Sequence, residues 1–256
     1  VSRTGAVDGC GCFPTGRYYA GIAHLLRSVA RGVLDELDGE AAWQDLPIAL
    51  LDVETTGRDA SSDRVIELGI VIARGGEIVR RHNWMVNPER PIPDEVKAIH
   101  GIGDDDVKGA PRFAEIAAEV VAALEGCIPA AYNAPFDRAF VANELARVHA
   151  KSGGGDAPPA HPFLRADVVW IDPLIWAREL QSNERSRTLG DVAARLGILN
   201  ENAHRATDDA EAAMRVLYAF GKDARVPRQY APFIQEQRRL AMAQADARQR
   251  VPFRGR

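Results

Sequence analysis

Cysteine is nearly absent from this 256-residue chain. Cys10, Cys12 and Cys127 make no even disulfide framework and no Cys/His quartet of zinc spacing. Cys10-Gly-Cys12 is too short and isolated to specify a metal site, so the three read as reduced thiols of a cytoplasmic protein. The "DGC" at Cys10 lacks the apolar segment of a lipoprotein signal, and no stretch approaches the roughly 18 apolar residues of a membrane span. Excess positive charge is also missing: 32 Lys and Arg against 36 Asp and Glu leave a formal charge of −4 and a pI near 5.9. A polyanionic partner therefore has to be met by a local basic patch or by bound metal. Apolar residues are plentiful, at 46%. That is enough for a buried core in one substantial domain with additions, or in two small ones.

Residues 1–16 are Gly-rich and unpatterned. From Tyr18 to Leu37, Ile22, Leu25, Leu26, Val29, Val33 and Leu37 recur at helical spacing and predict an amphipathic helix. Strands are predicted at 48–53, 64–73 and 77–86, and Gly75-Gly76 between the last two suits a tight antiparallel hairpin. Two helices then precede a short strand at 128–133. A further helix, a loop at 151–162, a strand at 167–172 and helices near 173–181, 188–196 and 208–220 complete the pattern. A meander followed by alternation predicts an α/β fold with a mixed central sheet and helices on both faces. The division expected is a 1–46 extension with its helix, a 47–222 domain, and a 223–256 tail. From Lys222 that tail holds nine Arg or Lys against three Asp or Glu, reading as a solvated tail, or as a nucleic-acid or docking arm.

The segment "LDVETTG" places Asp52 and Glu54 on one face of a strand, because side chains at i and i+2 point the same way. Like charges this close raise each other's pKa unless a cation holds them. Taken alone, such a pair reads as a strand end reaching solvent. Two later segments change that: "AAYNAPFDRAF" sets Asp137 at a helix start, and "AHRATDDAEAAM" supplies His204, Asp208 and Asp209 at another. On one continuous helix His204 and Asp209 would lie about 140° apart, so they converge only if His204 precedes the helix. Four oxygen-donor acids favour Mg²⁺ or Mn²⁺, and two such ions would neutralise four carboxylates. A pair of ions about 4 Å apart can activate water and stabilise the leaving oxygen in phosphodiester cleavage. A histidine can take the proton.

In this order "LDVETTG", "YNAPFD" and "HRATDD" resemble the three motifs of the DEDDh 3′→5′ exonuclease family, which includes the proofreading epsilon subunit of bacterial DNA polymerase III and ribonuclease T. "VNPERPIPDEVKAIHGI" is similar to the family's segment between motifs one and two. The resemblance covers about residues 47–221 and implies a ribonuclease H-like fold that releases nucleoside monophosphates from a free 3′ end. It implies Asp52, Glu54, Asp137 and Asp209 as ligands of two divalent cations and His204 as general base. It sets Thr55, Thr56, His100, Asn133 and Phe136 around the terminal nucleotide. Phe136 could equally be core, and His100 a helix-end histidine bonding a carbonyl. Asp208 reads as an exposed first-turn acid, Glu67 as a paired structural group, and Trp170 and Trp176 as core aromatics. Arg185 and Arg187 read as loop residues rather than phosphate contacts. The partner expected is single-stranded or frayed nucleic acid, with DNA favoured. RNA ends are the alternative, and a binding module that has lost hydrolysis is a third reading. A polymerase or clamp partner is open, with "QRRLAM" a loose candidate, and a stand-alone repair or processing role stands beside proofreading.

Overall fold

The computed structural model describes residues 32–153, 161–200 and 204–250. Its sheet has the order β3-β2-β1-β4, with strands β1 (Ile48–Thr55), β2 (Val65–Arg74), β3 (Glu77–Met85) and β4 (Ile128–Ala130). β1 runs antiparallel to β2 and parallel to β4, and β2–β3 is antiparallel, so the sheet is mixed as expected. The hairpin turns on Gly75 and Gly76 at φ 62° and 84°, backbone that a side chain would strain. The helices are α1 (Asp94–His100), α2 (Asp104–Val107), α3 (Phe113–Leu124), α4 (Ala134–Lys151), α5 (Pro173–Leu180), α6 (Leu189–Arg195), α7 (Ala206–Phe220) and α8 (Tyr230–Arg250).

The period of two in β1 divides the core. Ile48 and Leu50 join Val71 and Ala73 against α5, α6, α7 and α8. Ala49, Leu51 and Val53 join Leu68 and Ile70 against α3 and α4. Helices therefore cover both faces. On the first face Asp52 and Glu54 follow Leu50 in register, at the carboxyl end of the central strand. Trp170 and Trp176 are both core residues.

Two expectations are corrected, and a third lies largely outside the described residues. The strand predicted over 167–172 shrinks to a single bridge between Ala130 and Ile171. Ile171 N–H donates to Pro129 O and Ala131 N–H to Ile171 O. The next rungs on either side would need N–H groups from Pro129 and Pro173, which proline lacks. The tail is not a solvated appendage over its first half. Tyr230, Ala231, Phe233, Ile234 and Leu240 are buried in the main core, so α8 is a core helix with an apolar stripe under its charge. The helix expected over 18–37 lies largely outside the described residues, as do Cys10 and Cys12. Its last residues, 32–37, are turn and coil, and Val33 and Leu34 are buried. The chain then runs past α8, where Tyr230 N–H donates to Ala41 O, Ala231 N–H to Gly39 O and Trp43 N–H to Arg228 O. Among the described residues no helix is long and apolar enough to cross a membrane.

Candidate active site

Four segments meet at the carboxyl end of β1. Asp52 and Glu54 leave the strand on its α7 face. Asp137, 3% exposed, lies in the first turn of α4. It is fixed to β1 because the Val53 N–H, between the two strand acids, donates to its Oδ1 at 3.2 Å. Asp209 lies in the first turn of α7. His204 sits before that helix, as convergence requires, in left-handed backbone at φ 70°. A non-glycine residue there costs about 1 kcal/mol or more. The turn aims the His204 N–H at Asp209 Oδ2, 3.2 Å away, while Asn200 Nδ2 donates to Asp209 Oδ1 at 2.6 Å. One ligand atom from each of Glu54, His204 and Asp209 falls within 4.8 Å of the others.

The electrostatics of this cluster test whether it suits a cation. Burial, then the charges of Asp137, Asp209, Glu54 and Glu67, push the Asp52 carboxyl well above its usual range. Burial likewise raises Asp137, against hydrogen bonds from its own and the Val53 amides. Glu54 is pushed up to about 8 by burial and by Asp209 and Glu67, with Arg205 opposing. Asp209 is raised by burial as well, although Asn200 and the His204 N–H favour its charged form. Four carboxylates that the protein alone holds toward the neutral form, with oxygen donors converging beside an imidazole, fit a hard divalent cation.

Beside the acids opens a cavity of about 420 Å³, lined in part by Glu54, Thr55, Val96, Ile99, His100 and Phe136. Asn133 lines it too. Phe136 leans on Phe140 with ring centroids 4.8 Å apart and stays half-buried, so it serves the core and the cavity wall together. His100 Nδ1 accepts the Ile102 N–H at 3.0 Å, which leaves its proton on Nε2. That nitrogen is buried with no partner in full hydrogen-bond geometry; burial holds the ring toward its neutral form, with the Thr55 backbone nearby favouring the charged one. Thr55 donates to Gly57 O at 2.6 Å. Thr56 does not reach the cavity: it is 1% exposed, and its hydroxyl donates to Asp63 and accepts from the Arg64 amide. Asp208 is exposed, as expected.

The model of a family described as "Exonuclease" matches residues 50–217. The chain belongs to this exonuclease family. A DNA polymerase III subunit epsilon from Treponema pallidum is 30% identical over 177 residues, covering 69% of this chain and 77% of that protein. A 3′-5′ exonuclease DinG from Staphylococcus saprophyticus is 30% identical over 180 residues, 70% of this chain. This chain spans only 19% of the DinG protein's length. Among solved structures, E. coli Exonuclease I with a dA16 oligonucleotide matches with a TM-score of 0.60 at 19% identity, covering 77% of this chain and 45% of that one. The fold is thus the ribonuclease H-like fold of the exonucleases.

Several residues that support this exonuclease site were not legible as motifs. Glu67 lies opposite Glu54 in the β1–β2 register and is fully buried. It is the paired group expected, and its partner is Arg205, whose Nε and Nη2 both reach its carboxylate, Nη2 at 2.8 Å. The pair ties the His204 turn to the sheet. Gly69 lies opposite Asp52. A Cβ there would come within 2.6 Å of Ala206 O and run into the backbone joining Ala206 to Thr207, so only glycine lets the start of α7 rest on the sheet. Arg58 is exposed, lines the cavity and makes no ion pair among the described residues. Arg187 is turned inward, onto the Gln181 and Ser182 carbonyls.

Proposed function

We propose that this protein is a divalent-metal-dependent 3′→5′ exonuclease that releases nucleoside monophosphates from the 3′ ends of single-stranded or frayed DNA. The observation that carries the reading is the convergence of Glu54, Asp209 and His204, with Asp52 and Asp137 electrostatically joined to them, beside a mainly apolar cavity. Asp52, Glu54, Asp137 and Asp209 would hold two Mg²⁺ or Mn²⁺ ions. Such ions, when bound, supply a polarised water and charge stabilisation for the leaving oxygen. His204 takes the proton of the attacking water on its ring, which its left-handed turn keeps outside α7 and next to Asp209. The terminal base stacks on the Phe136 face, and the His100 Nε2–H offers a donor to the terminal nucleotide. Val53 N–H keeps Asp137 oriented throughout.

DNA is favoured because the relatives include a DNA polymerase III subunit, and a polymerase partner belongs to the same proposal. So does a cytoplasmic location, with Cys127 a free and buried thiol. The test measures turnover on matched DNA and RNA 3′ ends, single- and double-stranded, for wild type and His204→Ala. A general base contributes on the order of 10²- to 10⁴-fold. His204→Ala should lower turnover by that order while single-strand binding stays within about two-fold; full turnover at neutral pH would remove His204 from the role. Faster hydrolysis of RNA than of DNA would transfer the reading to RNA ends.

A further inference from the structure

We propose that Gln237, in the C-terminal helix α8, is a positioning residue for Asp137. The proposal rests on the exonuclease reading for its functional meaning, and on hydrogen-bond geometry for its structural content. Gln237 is 1% exposed, so both ends of its amide must find partners inside the protein. Its Oε1 accepts the Asp172 N–H at 2.9 Å and its Nε2 donates to Trp170 O at 2.8 Å. One flanking residue of a parallel strand would offer this same pair of groups to residues 170 and 172. Ile171 faces the other way, to β4, and its ladder is cut short by the two prolines. The Gln237 amide therefore replaces one residue of a missing strand and fixes the segment that carries Asp172.

Asp172 passes that constraint to the site. Its carboxylate, 4% exposed in residue terms, accepts three backbone N–H groups: Asn133 at 3.0 Å, Ala134 at 3.2 Å and Leu174 at 2.9 Å. It caps α5 and holds the left-handed Asn133 turn, φ 72°, from which α4 starts. Asp137 is one turn further along α4 and ends the chain of bonds at the Val53 N–H. The links at Gln237, Ala134 and Val53 are buried, so a partner lost there is not replaced by solvent. Gln237 lies 20 residues beyond the family-matched stretch, which ends at 217, so motif comparison does not reach it. Through Gln237, α8 acts on the chemistry of a site to which it contributes no ligand.

The experiment uses the full chain and compares Gln237→Met with Leu240→Ala, a substitution of a buried α8 residue that is off this path. Two quantities are read well below the melting transition: the Mn²⁺ dissociation constant by calorimetry, and the exchange rate of the Val53 amide in chelator. Partners of this kind typically alter metal affinity about 10- to 100-fold. Gln237→Met should weaken Mn²⁺ at least about 5-fold and speed Val53 exchange, while Leu240→Ala, although destabilised, should leave both near wild type. Should Gln237→Met bind Mn²⁺ normally with a protected Val53 amide, or should Leu240→Ala disturb both equally, the positioning role is overturned. Wild type provides an independent check, because coupling is reciprocal. Mn²⁺ should slow exchange at the Asp172 and Asn133 amides, and unchanged rates there contradict the proposal. A wild type that binds no Mn²⁺ would instead defeat the exonuclease reading, while the Val53 amide would still report on Gln237.

Discussion

Gly69→Ala isolates the contact on which the site's assembly depends. Gly69 sits in a central strand with ordinary extended backbone, so alanine meets no conformational penalty of the left-handed kind. The new methyl would lie 2.4 Å from Ala206 C and Thr207 N, and an ordinary contact begins at 3.4 Å, so the start of α7 must retreat by about 1.0 Å. The neighbour is backbone, which cannot swing aside. That retreat carries His204 and Asp209 away from Asp52 and Glu54. Overpacking of this kind costs about 1–3 kcal/mol, and a misplacement near 1 Å costs on the order of 10²-fold in rate. The assay is single-turnover hydrolysis of a 3′-labelled oligodeoxynucleotide with Mn²⁺, paired with denaturant unfolding in chelator. The expected result is a kcat lower by about 10- to 100-fold with folding retained. Wild-type kcat and stability together would refute the contact argument.

Three other outcomes are expected. In chelator, the raised folded-state pKa values of Glu54, Asp52 and Asp137 mean that the native state binds more protons than the unfolded chain, so stability falls as pH rises. Burial holds His82 and His100 neutral and works the other way, but only up to the unfolded histidine range, so pH 7 to 8 is the informative window. Glu54, titrating at about 8, should alone remove about 1 kcal/mol across it, and Mn²⁺ should restore more at pH 8 than at pH 7; a flat chelated midpoint would exclude this. Arg205→Ala leaves the buried Glu67 unpaired and should cost about 1–3 kcal/mol, discounted because the arginine is half-exposed. Adding Glu67→Gln should recover part of that, and a double variant no more stable than Arg205→Ala would deny the pairing. Arg58→Ala should raise KM for single-stranded DNA a few-fold at unchanged kcat and flatten the salt dependence by about 0.7 in log–log slope. An unaltered slope would remove Arg58 from the strand's path.

The legible parts of this protein share a physical origin. Near-continuous apolar runs in "IALLDVET" and "VIELGIVIA" announce strands covered on both faces, and the Gly75-Gly76 pair announces their neighbour's turn. The acids were legible because an acid interrupting an apolar run needs a partner, and the partners recur at two helix starts. The strand predicted at 167–172 failed on a signal that was present. Pro129 and Pro173 flank the only possible rung, and a β-rich composition concealed them. The tail misled because charge was counted before spacing: Tyr230, Phe233, Ile234, Gln237 and Leu240 repeat at three and four residues, a buried helical stripe. Gly69 and Arg205 act through long-range contacts that no local pattern encodes, whereas Glu67 was marked as a paired group and only its partner was hidden. Thr56 differs from Thr55 only in direction, which the strand's end decides.

Hydrolysis from the 3′ end is measured on one oligodeoxynucleotide prepared with a label at either end and incubated with Mn²⁺, with chelator, and with Asp52→Ala protein. The 3′ label should be released at once as a mononucleotide, and the 5′-labelled strand should shorten stepwise. Both should be abolished by chelator and by Asp52→Ala. Release of the 5′ label first, or hydrolysis undiminished in Asp52→Ala, would contradict the proposed function.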